Sequence, residues 1–528
     1  MNRKQFPFYD SEKNASIKEL LERSAARYTD AVAIRFKKQK APMQKTYTEV
    51  LNDTQTFAKH LLSLPKPVHH VAILGPSSYE WILTYFAVAF AGLVLIPVDR
   101  LLSAKDIRAL LEKADVDCLV YDPTLQKLAD TVVEDAQFLG ISMEDMYTVP
   151  TVEADFSFPA VQPDALFEIA FTSGTTGKSK GVMLTQGNIA ANVSQGLGAV
   201  RVEHGKDVIM SVLPFNHAYE FTCTILGMFS VGVEICLCSG IRYVQKEMKE
   251  YAPTLMFIVP LLAEKLYAKI ERNVKKQNKE KAFSYITRCN AFLYRHGLDI
   301  SDLFLKEVKA AMGGRLKVLM CGGAPLSEEL IRKFNGIGIN LFQGYGLTEC
   351  SPLLTVNFDY YHRPNSVGKV VEGCTVKSVD GELWARGISV SKGYYHDEQA
   401  TEDSFEDGWF KTGDLGYVDS DNFVFVTGRK KNLMLLPNGE NVSAEELEQL
   451  VYKIPFVSEA MVYIDQMAIT AELYIEPENG VVTEEEARAE IDKINRTIPR
   501  YKRIHKIKLR ETPFQKTTSG KIKRIQTE

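Results

Sequence analysis

The 528-residue chain lacks an excess of either charge. Its 63 Lys and Arg stand against 67 Asp and Glu, a formal net charge of −4, and its pI is about 6.2. It therefore has no electrostatic footprint for nucleic acid. It also lacks paired cysteines. Cys118, Cys223, Cys236, Cys238, Cys289, Cys321, Cys350 and Cys374 are scattered with no CxxC pair, so no zinc or redox motif is indicated. Free thiols in a reducing cytoplasm are the plain reading. The N-terminal MNRKQFPFYD has no apolar h-region, so no secretory signal is visible. No repeat period and no low-complexity tract is apparent. Two nucleotide fingerprints are absent as well. A Walker A loop needs four residues between its first Gly and Gly-Lys-Ser/Thr, and Gly174 is separated from Gly177-Lys178-Ser179 by only two. QGLGAVR, at 195–201, puts Arg201 where a dinucleotide loop needs its third Gly.

What is present is an ordinary globular composition, with 45% hydrophobic and 25% charged residues. One strongly apolar run, WILTYFAVAFAGLVLIPV at 81–98, carries no charge for 18 residues. It reaches the length of a membrane span, but reads better as two buried elements. A helix capped by Ser77 or Ser78 runs through Ala89, Gly92 breaks it, and LVLIPV follows as a strand. Further apolar strands, VAILGP, DCLVYD, DVIMSVLP, LMFIVP and RLKVLMCGG, alternate with helical stretches. That alternation predicts α/β architecture with largely parallel sheets. Residues 271–308 are Lys-rich and helical in composition, which a solvated helix face explains. After about residue 430 the texture changes to a small α+β unit.

FTSGTTGKSKG, at 171–181, follows the strand-like FEIAF. It holds three glycines, five hydroxyls and two lysines, and none of these ten residues could fill a core. Glycines allow several N–H groups to face one point, hydroxyls add short donors, and lysines add positive charge. Together they suit a polyphosphate.

TSGTTGKSKG resembles the phosphate loop of the adenylate-forming enzymes: acyl-CoA synthetases, adenylation domains and luciferases. Five more stretches resemble that family's motifs in the same order. They are QGYGLTE (343–349), GELWARGISVSKGYY (381–395), WFKTGDLG (409–416), GRKKNLMLLPNGENVSAEELE (428–448) and PFQKTTSGKIKR (513–524). The likeness covers nearly the whole chain. Ser179 stands where Pro is usual, and Pro437 where Ser or Gly is common; neither removes a group the chemistry needs.

The resemblance implies a large N-terminal domain, residues 1–430, of α/β sheet subdomains with a small β-barrel-like part. A small mobile α+β lid, residues 431–528, would follow. It implies ATP, Mg²⁺ and CoA as substrates or cofactors. The phosphate cradle would be Thr172, Ser173, Gly174, Thr175, Thr176, Gly177, Lys178 and Lys180. Gly322, Gly323 and Ala324 would form one adenine wall. Gln343, Gly344, Tyr345 and Gly346 would form the other, with Tyr345 stacking on the base. Thr348 would donate to a phosphate and Glu349 would bind Mg²⁺. Asp414 and Arg429 would hold the ribose. Lys521 would be the catalytic cation, Lys431 the hinge, and Gly439 part of the thiol channel.

LPFNHAYEFTCTILGMFSVG, at 213–232, is most similar to the fatty-acyl-CoA synthetase branch. His217 would border the carboxylate site, and with Glu220 belongs to the implied acyl pocket. Phe221, Ile225, Met228 and Phe229 are candidates to line it, although core packing explains them equally well. The implied activity is AMP-forming ligation of a medium- to long-chain fatty acid to CoA. The alternatives are transfer to an acyl carrier protein's phosphopantetheine, an aromatic or sterol acid, and a catalytically silent nucleotide-binding homologue. Intact Lys521, Glu349 and Asp414 speak against the last. The expected setting is the cytoplasm, with no transmembrane segment. Weak association with membrane surfaces is compatible with a fatty-acid enzyme, though no amphipathic anchor stands out.

Overall fold

The computed structural model describes residues 6–134, 138–147, 156–173, 179–294, 298–436, 440–477, 482–516, 522 and 524. The chain divides into two compact units. The first comprises residues 1–375, 385–410 and 420–423, and the second comprises 376–384, 411–419 and 424–528.

The first unit is built on two sheets. One has the order Leu139–Ser142, Cys118–Tyr121, His70–Leu74, Val94–Val98, Leu166–Ser173, Ser179–Thr185. Its pairings are parallel except the last, an antiparallel hairpin. In the other, Val32–Lys38, Glu234–Leu237, Val208–Ser211, Leu255–Ile258, Val318–Cys321 and Asn340–Gly346 are parallel neighbours in that order. Leu353–Val356 and Gly368–Val370 continue it antiparallel.

Alternation along the strands puts each sheet between two apolar layers. Val71 and Ile73 face one core cluster, while Ala72 and Leu74 face another. In the second sheet, Ile209, Ile235 and Phe257 join the cluster that holds Val71, and Met210, Cys236, Met256 and Ile258 turn to a third. The shared cluster lies between the two sheets and contains the most apolar helix of the chain, Tyr79–Ala91. Every residue of that helix except Glu80 is buried. Such a helix can only exist with protein on all sides. It is capped by Ser78, whose hydroxyl accepts from the Trp81 amide, ends at Gly92, and is followed by the strand Val94–Val98. The long uncharged run is thus two buried elements. Among the described residues, no helix is long and apolar enough to cross a membrane. All eight cysteines are free thiols.

The expected α/β class is borne out; among the described residues the strand orders do not close into a ring. The second unit packs the helices Ala444–Val451 and Glu484–Thr497 on a sheet of Glu459–Asp465, Ala468–Tyr474 and Lys506–Arg510. Ser443 and Thr483 cap the two helices; Thr483 forms a reciprocal capping box with Glu486.

Candidate adenylate-forming site

The stretch expected to be a loop running into a helix is largely a hairpin. Leu166–Ser173 pairs with Ser179–Thr185, in the register Phe171 with Gly181, Thr172 with Lys180, and Ser173 with Ser179. Thr172 and Lys180, directly opposite each other, lie on the same face. Gly174, Thr175, Thr176, Gly177 and Lys178 lie outside the described residues. The helix that follows the hairpin begins at Gln186, capped by Thr185.

The segment around Tyr394 runs alongside the second hairpin strand. Met183 donates its amide to the Gly393 carbonyl at 3.0 Å, and Tyr395 donates to the Gly181 carbonyl at 2.7 Å. This places the Tyr394 ring 4.8 Å from Lys180 Nζ. The Tyr394 hydroxyl donates to Glu349 Oε1 at 2.9 Å. A further bond, from the Ser391 amide to the Glu349 carbonyl at 2.8 Å, fixes the backbone at the same point. One buried phenol therefore touches both Lys180 and Glu349, the residues expected to serve phosphates and metal. Burial, and then the Glu349 charge beside it, push the Tyr394 phenol well above its ordinary value, so it remains a donor at physiological pH. Sequence reasoning quoted Tyr394 within a motif but gave it no role. The signal available was its place as the first tyrosine of SKGYY, at 391–395.

The two expected adenine walls emerge from neighbouring parallel strands. Val318–Cys321 pairs with Asn340–Gly346, with Cys321 opposite Gln343. Gly322, Gly323 and Ala324 follow the first strand, while Gln343, Gly344, Tyr345 and Gly346 end the second. The carboxyl ends of parallel strands are where open α/β sheets bind ligands. Gln343 is buried and Tyr345 half-buried. Gly346 has a structural reason beyond leaving room for a base: a Cβ there would stand 1.8 Å from the Pro352 carbonyl oxygen. Thr348 opens a short turn, Thr348–Cys350, that carries Glu349.

Behind these strands lies a small, apolar-lined cavity. Phe257, Met320, Cys321 and Gly344 form its sheet wall, and Tyr219, Cys223, Gly227 and Met228 contribute from a helical segment. Tyr219 links the two walls. Its hydroxyl donates to the Met320 carbonyl at 3.0 Å, and its ring lies so close to Gly322 that a Cβ there would be 3.0 Å from Tyr219 Cζ.

The lining differs from the one predicted. Met228 faces the cavity, but Phe221, Ile225 and Phe229 are in the core. Phe221 stacks near Tyr85 with ring centroids 3.8 Å apart, and Phe229 lies 5.4 Å from Phe86. Tyr219–Leu226 is a π-helix; Tyr219 and Cys223, four residues apart, line the cavity, while Phe221, Ile225 and Phe229 share a different face that packs in the core.

His217 is half-buried, and its carbonyl receives the Glu220 amide at 3.1 Å as the helical segment begins. Glu220 does not line the cavity. It is fully buried and accepts from Ser211 Oγ at 2.5 Å, the Val212 amide at 3.1 Å and Thr224 Oγ1 at 3.0 Å. It fastens the end of the Val208–Ser211 strand to the π-helix. Burial pushes its carboxyl up to about 7 against the opposing pull of these bonds.

In the second unit, Asp414 and Arg429 are cross-strand partners. Arg429 Nε donates to Asp414 Oδ1 at 2.6 Å, and Asp414 is buried while Arg429 is half-exposed. Thr412 Oγ1 accepts from the Asp414 amide at 3.1 Å and donates to the Leu383 carbonyl at 2.7 Å. The two residues assigned to the ribose thus hold each other. Lys431 sits in the turn Lys430–Asn432. Burial, and then the neighbouring Arg429 charge, lower its amine below the ordinary lysine value.

Gly439 and Lys521 lie outside the described residues, but the chain on both sides of residues 517–521 is anchored. The Phe514 amide donates to Glu459 Oε2 at 2.8 Å, and Lys516 Nζ is 2.5 Å from Glu459 Oε1. On the far side, Arg524 donates to Glu448 Oε2 at 2.6 Å and to the Val462 carbonyl at 3.2 Å.

Residues 21–395 match the family described as AMP-binding enzyme. The chain belongs to that family. Among curated relatives of this AMP-binding enzyme is the long-chain-fatty-acid–CoA ligase FadD15 of Mycobacterium tuberculosis. It is 29% identical over 466 residues, covering 82% of this chain and 77% of the relative. Mouse long-chain-fatty-acid–CoA ligase ACSBG2 is 29% identical over 505 residues, covering 85% and 75%. Two solved structures share the fold. The anthranilate CoA ligase AuaEII in complex with anthranoyl-AMP has a TM-score of 0.79 at 20% identity, covering 98% of this chain and 96% of that one. Bacillus subtilis O-succinylbenzoate CoA synthetase with ATP and a magnesium ion has a TM-score of 0.76 at 22% identity, covering 95% and 98%.

The Glu220 environment generates a pH prediction. Unfolded, this carboxyl ionises near its ordinary value of 4.5; folded, it does so at about 7. Between those values the folded state holds a proton that the unfolded state has released. Stability therefore falls as pH rises through this window, by at most ~1.4 kcal/mol per pH unit from this group. Glu220→Gln has no proton to lose. Its urea-unfolding midpoint should drop less than the wild-type midpoint between pH 5 and pH 7, whereas parallel curves would refute the buried-carboxyl reading.

Proposed function

We propose that this AMP-binding enzyme is an AMP-forming ligase that activates an apolar, fatty-acid-like carboxylic acid and transfers it to the thiol of CoA. The observation that carries the reading is the apolar cavity walled by Met320, Cys321 and Gly344. The same strands carry the proposed adenine contacts, so an acid entering here would set its hydrocarbon tail against this apolar lining, widening the cavity as it enters, and its carboxylate toward the nucleotide. The names of the curated relatives support the substrate class, and the ligands named for the two structural neighbours support adenylate chemistry with ATP and magnesium.

In the first half-reaction a carboxylate oxygen attacks the α-phosphorus of ATP. The new O–P bond forms as the bond to pyrophosphate breaks, giving acyl-AMP. Negative charge gathers on the phosphoryl oxygens, so fixed donors and cations there speed the step. Lys180 and Thr172, with the rest of the glycine-rich stretch, would hold the β- and γ-phosphates. Thr348 would donate to a phosphate, and Lys521 would neutralise charge at the reacting phosphorus. Tyr345 would stack on adenine against Gly322–Ala324, and Asp414 with Arg429 would bind the ribose. In the second half-reaction the CoA thiol attacks the acyl carbon and AMP leaves. The residues from Lys431 onward would act as the lid, with Lys431 as hinge and Gly439 beside the thiol path.

Mg²⁺ fits this donor set. Among the described residues no group of three or more His, Cys, Asp or Glu could hold a metal ion by itself. Mg²⁺ characteristically takes one or two carboxylates and completes its shell with phosphate oxygens and water. Glu349, oriented by the Tyr394 hydroxyl, would supply the protein oxygen. The ion would offset charge on the departing pyrophosphate.

The primary test is acid-dependent pyrophosphate release across saturated acids of increasing length, with CoA as acceptor. No release with any acid would refute the proposal. Cys223→Phe should fill the cavity and lower kcat/KM for long acids by about 10-fold or more, while leaving short acids little changed. An equal loss at every length would remove the cavity from acid binding. Lys521→Ala should slow acyl-AMP formation by about 10²-fold or more, whereas thioester formation from supplied acyl-AMP should largely survive. Tyr394→Phe should weaken Mg²⁺ binding in the ATP complex by about 10-fold, as read by calorimetric titration. An unchanged affinity would take Tyr394 out of the metal's support.

A further inference from the structure

The Lys-rich insert of the first unit presents more than a solvated face. From Arg272 to Arg288 it holds six cations, Arg272, Lys275, Lys276, Lys279, Lys281 and Arg288, against one acid, Glu280, in a chain whose total is −4. The helix Glu280–Tyr294 has two distinct sides. Phe283, Ile286 and Asn290 turn inward, the first two onto an apolar core and Asn290 fully buried. Lys281, Tyr285, Arg288 and Phe292 follow at spacings of four, three and four residues. They form one outward stripe in which cations and aromatics alternate. Tyr285 is 74% exposed and Phe292 65% exposed. Beside the helix's C-terminal half, Asn290 Nδ2 donates to Asp299 Oδ1 at 3.1 Å and the Ile300 amide to Asn290 Oδ1 at 2.8 Å. That anchorage holds a second group of exposed apolar side chains, Leu298, Leu303 and Phe304, against the helix.

We propose that this surface docks the chain on an anionic lipid bilayer. The chemistry of the stripe selects that occupant. Aromatic rings on an exposed helix face favour the boundary between headgroups and acyl chains, where one end of the ring is apolar and the other wet. Flanking lysines and arginines extend past them to lipid phosphates, each adding attraction that decays within a Debye length. A protein partner's interface would be depleted in lysine at its centre, whereas this stripe interleaves cations with its apolar residues. The element lies along a membrane rather than across it, since it is too short and too charged to span. The inference rests on this surface alone and holds whatever acid the cavity accepts.

The test is co-flotation of the full chain, without substrate, with vesicles of phosphatidylcholine alone or with 30 mol % phosphatidylglycerol, roughly the anionic fraction that makes polybasic attraction measurable. Binding is expected to the anionic vesicles, much weaker binding to neutral ones, and a decline with added salt. Each of Lys275→Gln, Lys276→Gln and Lys281→Gln should reduce the partition coefficient about 5-fold. Tyr285→Ser combined with Phe292→Ser should reduce it by about 10-fold or more. A circular dichroism spectrum matching wild type, and unchanged pyrophosphate release with a water-soluble short acid, would establish that these variants fold. Equal flotation with neutral and anionic vesicles would overturn the electrostatic half of the proposal. No flotation with either, or capture of the stripe only by a protein, would overturn it entirely.

Discussion

The hydrogen bond from Tyr394 to Glu349 is the constraint on which the first unit's site arrangement depends. Glu349 sits in a short turn and Lys180 in a hairpin strand from the other sheet. Nothing in either element alone fixes their separation. Tyr394 does so because it lies on a third segment, bonded through the backbone to the hairpin, with its hydroxyl on the carboxylate and its ring on the ammonium. A carboxylate and an ammonium in direct contact would spend their charge on each other. A phenol between them holds both in place without such a direct contact.

The same division between a fixed frame and an open face appears at the cavity. Tyr219 bonds to the Met320 carbonyl and packs against Gly322, so the apolar wall and the proposed nucleotide wall share one rigid part. Glu220, one residue further on, is turned the opposite way and spends its oxygens on Ser211, Val212 and Thr224. A buried carboxyl is tolerated there because three donors meet it; without them its desolvation would cost several kcal/mol. Adjacent residues on one π-helical turn thus face the cavity and hold the frame, respectively.

How far the sequence foretold this varies with the physics of each signal. Strand alternation and helix caps are local, and they yielded the α/β class, the paired reading of residues 81–98 and a cap at Ser77 or Ser78, of which the structure uses Ser78. The hairpin was missed because SKGVMLT has little to mark it as a strand: its lysines and glycine resemble loop composition, and its pairing partner is what makes it extended. For Phe221, Ile225 and Phe229 the sequence left two settings open, cavity or core; a helical period puts them on one face, and that face packs in the core.

The insert at 271–308 shows the converse limit. Composition registers its lysines and correctly leaves them in water, but a linear count cannot say whether aromatics share their face. Once the helix is in place, the inward positions of Phe283, Ile286 and Asn290 fix the rotation, and Tyr285 and Phe292 can only point away from the core. Two large aromatics held outward by the burial of their neighbours are a consistent feature of the fold rather than an accident of a mobile surface. Their apolar area is exposed to water at a cost of order 1 kcal/mol or more each. A contact that covers them would recover that free energy, and the surrounding positive charge determines which contact it is.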